Sequence, residues 1–473
     1  MSDVSSQWGY GMSRRGFIRA TGMAASAAAL AACASETTAI APAAPLSGTP
    51  EPTFAEPRTK LTGDLKILLW SHFVPSHDAW FDTFVKDWGG KVGVTVTVDH
   101  INNAEIPGRI AAEIQANQGH DLIQYIAPLS QYEQSVVDLK DITDEANNRW
   151  GKQIELCRKS SFNPKTGKFY AYSPGWVPDP GNYRKSLWEK AGMGDGPKTW
   201  EDVLTAGSKI KSEQGIQLGL GMSQEIDSNM VARALMWSYG ASIQDANEKV
   251  VLKSDNTVAA VDFMSKLFKQ AMTDEVFSWN AASNNQGLIA GKLSYIVNSI
   301  SAWRTAQEAN PAVADDVFFV PALQGPEAAI AAQHVLYNWI VPNHGKNPDA
   351  AKEFLLHYTA NFESATYHSK LYDFSAWNKL TPRRDAWLGD DPYSQNNKDR
   401  LKFLKDAEPW SVNIGYPGPA NTAEGEVFNT FIIPNMFAKA ARGEMSAKDA
   451  VAWGESQVTP IFQKWRTAGL VGG

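Results

Sequence analysis

The chain has 473 residues, of which 43% are hydrophobic and 20% charged, and its net charge is -7. This composition fits two or three folded domains and excludes a disordered chain, and the acidic balance argues against a nucleic-acid partner. The 2 cysteines cannot build a disulfide framework, whereas the 17 tryptophans must serve a core, an interface or a ligand platform.

The first sixty residues are typical of an exported protein. The pair Arg14-Arg15 precedes an Ala-rich apolar stretch and then the run Leu30-Ala31-Ala32-Cys33. A positive segment, a short apolar segment and small residues form an export signal, and the paired arginines resemble a twin-arginine signal. The last run resembles a lipobox, which predicts a periplasmic or extracytoplasmic protein anchored to the membrane by a lipid on Cys33. If Cys33 is unmodified, the protein is instead free in the periplasm.

Strands and helices alternate in the body of the chain, which predicts βαβ units and mainly parallel sheets. In chain order we expect strands at 65–70, 92–98, 121–126, 216–222, 291–299, 318–320 and 328–341, and helices at 78–88, 106–118, 255–272, 350–358, 428–442 and 447–465. A further helix starts near Thr199, where Thr199 can cap and Asp202 can reach back. In parallel sheets, ligands lie beyond the carboxyl ends of the strands.

Several segments in the same order resemble the extracellular solute-binding proteins of the sugar-binding, maltose-binding-protein-like type, which are receptors of ATP-binding-cassette importers. The resemblance rests on residues 119–123, 168–172, 183–192, 197–202, 287–297, 380–384 and 443–460. Two positions depart from the family pattern, because Arg184 replaces its Asn and His120 its Pro. Ligand identity therefore cannot be transferred from the family.

The resemblance implies an α/β, two-lobed periplasmic-binding-protein fold of type II. Each lobe is then a mainly parallel sheet flanked by helices, the chain crosses between the lobes about three times, and the ligand cleft lies between them. The implied division is a signal at 1–32, a flexible tether at 33–60, lobe 1 at 61–176 and 328–372, and lobe 2 at 177–327 and 373–473.

Carbohydrates present apolar C–H faces and many hydroxyls, so aromatic, carboxylate and amide side chains at strand ends and crossovers are the candidates for the cleft. The candidate ligand-binding residues are His72, Tyr125, Trp176, Asp179, Glu225, Asn229, Ser301, Trp303, Trp410 and Tyr416. No catalytic or phosphate-binding motif is present in the sequence, and no cofactor is expected. His72 and His77 lie five residues apart at a predicted loop and helix start, and no metal site is expected there.

These features predict a monomeric binding protein, not an enzyme, that captures a carbohydrate or polyol and delivers it to the membrane permease of an ATP-binding-cassette importer. One alternative is an exported enzyme acting on glycans, because a catalytic carboxylate pair needs no sequence proximity. Another is a binding protein for a polyamine, an amino acid or an organophosphate. A cationic ligand would need two or more carboxylates in the cleft, such as Asp179 and Glu225.

Overall fold

The computed structural model describes residues 48–473. The predicted signal, Cys33 and the first part of the predicted tether lie outside the described residues. Within residues 48–473, no helix is both long and apolar enough to cross a membrane.

Fourteen strands form in the described part of the chain. They are β1 Gly63–Trp70, β2 Val94–Ile101, β3 Leu122–Tyr125, β4 Phe162–Asn163, β5 Lys168–Phe169, β6 Gly175–Pro178, β7 Gly181–Arg184, β8 Gln217–Gly219, β9 Leu293–Val297, β10 Val317–Val320, β11 Ala331–Leu336, β12 Asn338–Ile340, β13 Phe374–Ser375 and β14 Ser411–Val412.

Seventeen α-helices accompany them in the same part of the chain. They are α1 Ser76–Val92, α2 Ile106–Ala116, α3 Lys140–Trp150, α4 Glu155–Lys159, α5 Lys185–Lys190, α6 Trp200–Gln214, α7 Ile226–Ser238, α8 Asp255–Ala271, α9 Ser283–Ile289, α10 Ser301–Ala309, α11 Pro311–Asp316, α12 Pro348–Ala360, α13 Phe362–His368, α14 Arg384–Gly389, α15 Thr422–Asn429, α16 Ile432–Ala441 and α17 Ala447–Thr467. The predicted helix at 428–442 is thus two helices, and α7 was not predicted.

The first sheet has the strand order β12-β3-β1-β2. Strand β1 runs parallel to β2 and β3, and only β12 is antiparallel. The second half of β1, from Ile67 to Trp70, is entirely buried, as expected for a strand covered on both faces. Helix α1 contributes Phe81 and Trp88 to the core, where both rings contact Phe354 of α12.

The second sheet has the order β10-β7-β9-β8 and is mixed. Only the β8–β9 pair is parallel, because β7 runs antiparallel to both β9 and β10. The prediction of a mainly parallel sheet is therefore correct for the first lobe and wrong for the second. A separate hydrophobic core surrounds this sheet and includes the C-terminal helices α15, α16 and α17.

A third sheet, with the order β13-β6-β11-β14, lies where the chain passes between the two lobes. Strand β6 precedes the entry into the second lobe at β7, β11 leads back to the first sheet at β12, and β13 follows α13.

The chain that precedes β1 packs against lobe 1 from about residue 50. The backbone N–H of Thr53 donates to Asn361 Oδ1 (2.6 Å), and Arg58 Nε donates to Glu353 Oε1 (2.6 Å). Ser364 Oγ also donates to the carbonyl of Pro50 (3.1 Å). These contacts with α12 and α13 correct the predicted tether, because its last third is fixed to the folded body.

Helix α6 begins with the predicted capping box. Thr199 Oγ1 accepts from the N–H of Asp202 (3.0 Å), and Asp202 Oδ2 accepts from the N–H of Thr199 (2.9 Å). Both bonds satisfy backbone donors that the helix itself leaves free.

We expect Thr199→Ala to lower the free energy of unfolding by about 1 kcal/mol, because the substitution removes the capping oxygen. Urea denaturation followed by circular dichroism measures the change. Ser212→Ala, at an exposed position on the same helix, is the matched control and should cost nothing measurable. Equal losses in the two variants would contradict a specific role for the cap.

Candidate functional site

Three carboxylates and one histidine come together where the third sheet meets the second lobe. Asp179 follows β6, Glu225 immediately precedes α7, Asp227 lies in the first turn of α7, and His334 lies in β11. His334 Nδ1 is 3.0 Å from Asp179 Oδ1 and 3.8 Å from Asp227 Oδ1. All four residues are buried. We call Asp179, Glu225, Asp227 and His334 the acidic group.

Helix α7 holds two of these carboxylates in place. Glu225 caps the helix, and its carboxylate accepts from the N–H groups of Asp227 (2.7 Å) and Ser228 (2.5 Å) and from the Ser228 hydroxyl. Asp227 Oδ2 accepts from Asn284 Nδ2 at 2.9 Å. The positive end of the helix dipole favours negative charge at this terminus.

Burial works against the charges of the acidic group. Loss of water raises the pKa of Glu225, and it raises the pKa of Asp227 well above its ordinary value with a further contribution from the charges of Glu225 and Asp179. Asp179 Oδ2 and Asp227 Oδ1 have no hydrogen-bond partner among the described residues. Because unpaired buried acceptors are costly, these oxygens are suited to accept hydrogen bonds from a bound molecule.

Aromatic side chains border the acidic group. The ring of His334 lies 6.4 Å from Phe73, which follows β1, and 6.4 Å from Tyr372, which precedes β13. Gln333, next to His334, is buried and both polar atoms of its amide lack a partner among the described residues. Apolar rings beside free polar groups are typical of ligand sites.

A set of small polar side chains lies at the carboxyl end of β9. Asn298 Nδ2 donates to Asn285 Oδ1 (2.6 Å), and Asn285 Nδ2 donates to Ser301 Oγ (3.3 Å). Ser299 Oγ is also 3.3 Å from Ser301 Oγ. These residues occupy the position at which ligands bind in α/β sheets.

A surface cavity of about 870 Å³ lies elsewhere, at the amino ends of strands in the first sheet. Its lining includes Asp64, Lys66, Arg109 and Asp121. Because ligands of such sheets bind at the carboxyl ends, the acidic group is the better candidate site.

A sequence model of the bacterial extracellular solute-binding protein family matches residues 79–398. The chain belongs to this family. Among curated relatives, a protein of Brucella abortus (strain 2308) described as a binding protein is 26% identical over 175 residues, which are 37% of this chain and 42% of the relative. This solute-binding protein thus matches less than half of that relative's length.

Solved structures with bound solutes share the fold of this solute-binding protein. A sugar transporter of Arthrobacter chlorophenolicus A6 with bound laminaribiose has a TM-score of 0.70 at 16% identity and covers 84% of this chain and 99% of its own. MalE3 of T. maritima with bound maltose has a TM-score of 0.70 at 17% identity, and the match covers 84% of this chain and 99% of MalE3. A protein of Agrobacterium radiobacter K84 in complex with ribitol has a TM-score of 0.68 at 15% identity, and the match covers 86% of this chain and 100% of that protein.

Some of the residues predicted for the cleft lie at or beside the acidic group. Asp179 and Glu225 belong to it, and Ser301 belongs to the polar set after β9. The ring of His72 meets the edge of Tyr372 at 5.1 Å, but its Nε2 is directed at Asp373 and Tyr337. Three others stay predictions. They are Tyr125, which is buried at the carboxyl end of β3, and the half-buried Trp410 and Tyr416.

The structure corrects the prediction for Trp303. Its indole is buried, its Nε1 donates to the carbonyl of Ala314 (3.2 Å), and the guanidinium groups of Arg304 and Arg400 lie 4.5 and 5.2 Å from its ring centre. The ring therefore joins α10 to α11 and is not available as a ligand platform.

Asn229 and Trp176 are both buried. Asn229 accepts from Arg233 Nη1 (2.6 Å) and donates to the carbonyl of Phe428 (3.1 Å), which ties α7 to α15. Trp176 is buried in β6, where its ring lies 5.6 Å from that of Phe374. The prediction for Asn229 is wrong because both polar atoms of its side chain bond within the core. Trp176 Nε1 has no hydrogen-bond partner among the described residues, and its role in the cleft stays a prediction.

Sequence reasoning missed Asp227, His334 and Tyr372. Asp227 lies only two residues after Glu225, and α7 was not predicted, so its first turn gave no signal. His334 falls within the predicted strand at 328–341, where one polar residue in an apolar run does not indicate a site. Tyr372 adjoins a predicted crossover, which was the one available signal.

We expect Asp227→Asn to raise the stability of the ligand-free protein at pH 7. The raised pKa means that ionised Asp227 is disfavoured in the folded state, so wild-type stability falls as pH rises through the window above its ordinary pKa of 3.8. The neutral amide removes this cost, on the order of 1–2 kcal/mol.

Chemical denaturation at pH 7 and pH 4 measures the effect, and the difference between variant and wild type should shrink at the lower pH. Asp262→Asn, an exposed change on α8, is the control and should leave stability nearly unchanged. A less stable Asp227→Asn variant at pH 7 would show that the charge stabilises the fold.

Proposed function

We propose that this protein is an extracytoplasmic receptor that binds a carbohydrate or polyol between its two lobes and delivers it to the permease of an ATP-binding-cassette importer. The observation that carries the proposal is the acidic group, which is buried beside the crossovers and has carboxylate oxygens without hydrogen-bond partners among the described residues. In this proposal Asp179, Glu225, Asp227 and His334 bind the solute.

The chemistry of the site supports a ligand rich in hydroxyls. Carboxylates accept hydrogen bonds from hydroxyl groups. Phe73 and Tyr372 offer apolar surface for the C–H faces of a sugar. The fold relatives that hold laminaribiose, maltose and ribitol support the same ligand class.

Closure of the two lobes is the proposed mechanism of capture. A solute that contacts both lobes favours the closed state by its differential affinity for that state. Asp227 and Glu225 belong to the second lobe, whereas Phe73 follows β1 of the first sheet. The receptor changes shape, acts as a monomer and leaves the solute chemically unchanged.

A cation-bearing solute, such as a polyamine or an amino sugar, is the second candidate. The site holds three carboxylates and a single histidine. Asp179 Oδ2 and Asp227 Oδ1 have no hydrogen-bond partner among the described residues. An ammonium group would lower the repulsion that raises the pKa of Asp227.

A thermal-shift screen distinguishes these ligands. We expect laminaribiose, maltose or ribitol to stabilise the protein by about 2.7 kcal/mol at a concentration of 100 Kd. Glucosamine and spermidine are the cationic probes, and stabilisation by these alone would favour the second candidate. Asp227→Asn should abolish the shift, whereas Asp262→Asn should retain it. No shift with any probe would contradict both ligand classes.

Recovery of the ligand tests the enzyme alternative. The stabilising sugar is incubated with the protein and then examined by mass spectrometry. We expect the sugar to be recovered intact, and cleaved or modified sugar would instead establish an exported enzyme.

We further infer that Cys33 carries a lipid anchor and that the chain between it and the folded body is a tether. We expect Cys33→Ser to release the protein from the membrane fraction into the soluble fraction, as measured by cell fractionation and immunoblotting. Cys157→Ser, at the buried cysteine of the folded body, is the control and should leave the protein membrane-bound. Retention of Cys33→Ser on the membrane would contradict the anchor.

A further inference from the structure

A second cluster of polar side chains lies in the first lobe, beside the acidic group and separate from it. His72 follows β1, His77 lies in the first turn of α1, and Asp373 immediately precedes β13. Their side chains are 2%, 2% and 0% exposed. One nitrogen from each histidine and one oxygen of Asp373 all lie within 4.8 Å of one another.

The distances in this cluster resemble those around a small cation. His72 Nε2 is 3.3 Å from Asp373 Oδ1, and His77 Nε2 is 3.6 Å from Asp373 Oδ2. A tetrahedral ion with bonds of about 2.0–2.1 Å holds its ligand atoms about 3.3 Å apart. The two nitrogen–oxygen distances are close to this value. The two imidazole rings are stacked with their centres 4.3 Å apart, so the rings have to turn for all three groups to meet at one ion.

Several atoms of the cluster lack a hydrogen-bond partner among the described residues. His77 Nδ1 and Nε2 and Asp373 Oδ2 make no hydrogen bond within the described part of the chain, although both residues are buried. A buried carboxylate oxygen and a buried imidazole without partners are costly. A cation would satisfy both atoms at once and offset the charge of Asp373.

The surroundings orient the three groups. His72 Nδ1 accepts from the N–H of Val74 (2.9 Å) and lies 3.1 Å from the Val74 carbonyl, so binding of an ion at Nε2 requires the proton to move to Nδ1, where that carbonyl can accept it. His77 Nδ1 is 3.8 Å from Asp78 Oδ1, and the hydroxyl of Tyr337 donates to Asp373 Oδ1. Metal-binding histidines and carboxylates typically have such outer partners, which fix the ring and the tautomer.

We propose that His72, His77 and Asp373 bind a zinc ion through the two Nε2 atoms and the carboxylate. Two imidazoles and one carboxylate suit zinc better than calcium or magnesium, which prefer oxygen ligands. A water molecule would complete the tetrahedron. The ion would bind whichever solute the acidic group takes. It would join the end of β1 and the start of α1 to the crossover at β13.

The test uses the full chain without a histidine tag, treated with a chelator and then dialysed. We expect one equivalent of Zn²⁺ to bind by isothermal titration and to raise the melting temperature, and Co²⁺ to give the visible absorption of a tetrahedral site. X-ray absorption of the zinc-loaded wild type should show two imidazole nitrogens and carboxylate oxygen. Failure to bind zinc stoichiometrically, or a shell without imidazole, would overturn the proposal.

Variants locate the ion. His77→Gln and Asp373→Asn should each lower zinc affinity by at least tenfold, as expected for loss of a zinc ligand. His100→Gln is the matched control, because His100 lies 3.5 Å from Asp78 and 2.9 Å from Asp82 but outside the cluster, and it should bind zinc like wild type. Equal losses in the control and the cluster variants would place the ion elsewhere and overturn the assignment. The X-ray absorption result decides the matter if a cluster variant does not fold.

Discussion

Asp179 and the neighbouring Glu225 and Asp227 come from two distant parts of the chain and are held away from water together. Their burial costs free energy, which shows in the raised pKa values of Glu225 and Asp227. The two lobes, each with its own sheet, supply the stability that offsets this cost. Buried carboxylates of this kind are found at functional sites, where a bound ligand supplies the hydrogen bonds that the ligand-free fold lacks.

The third sheet explains how such a group can form at all. Asp179 follows β6 and His334 lies in β11, and these two strands pair antiparallel at Gln333 and Pro178. Tyr372 then comes from the segment that leads into β13. Because each crossover contributes one side chain, a change in the angle between the lobes would alter the distances within the site. Solute affinity and lobe angle are therefore expected to depend on each other.

Elements with strong local signals could be predicted from the sequence, and residues whose role depends on distant packing could not. The capping box at Thr199 and the helix at Asp255–Ala271 are determined by neighbouring residues, so periodicity and capping residues were sufficient. Trp303 was misplaced because its environment comes from Arg400 and Ala314, which spacing does not reveal. The same limit applies to the proposed zinc site, since Asp373 is far in sequence from His72 and His77.

Tyr372 and Asp373 are consecutive, and they connect the acidic group with the histidine cluster. Tyr372 contacts His334 on one side and His72 on the other, and the charges of Asp373 and Asp227 both raise its pKa beyond the effect of burial. A cation bound to Asp373 would reduce that charge and fix the crossover next to the solute site. If the ion thereby changed solute affinity by some factor, the solute would have to change ion affinity by the same factor. The two sites would then be linked through two adjacent residues of a single crossover.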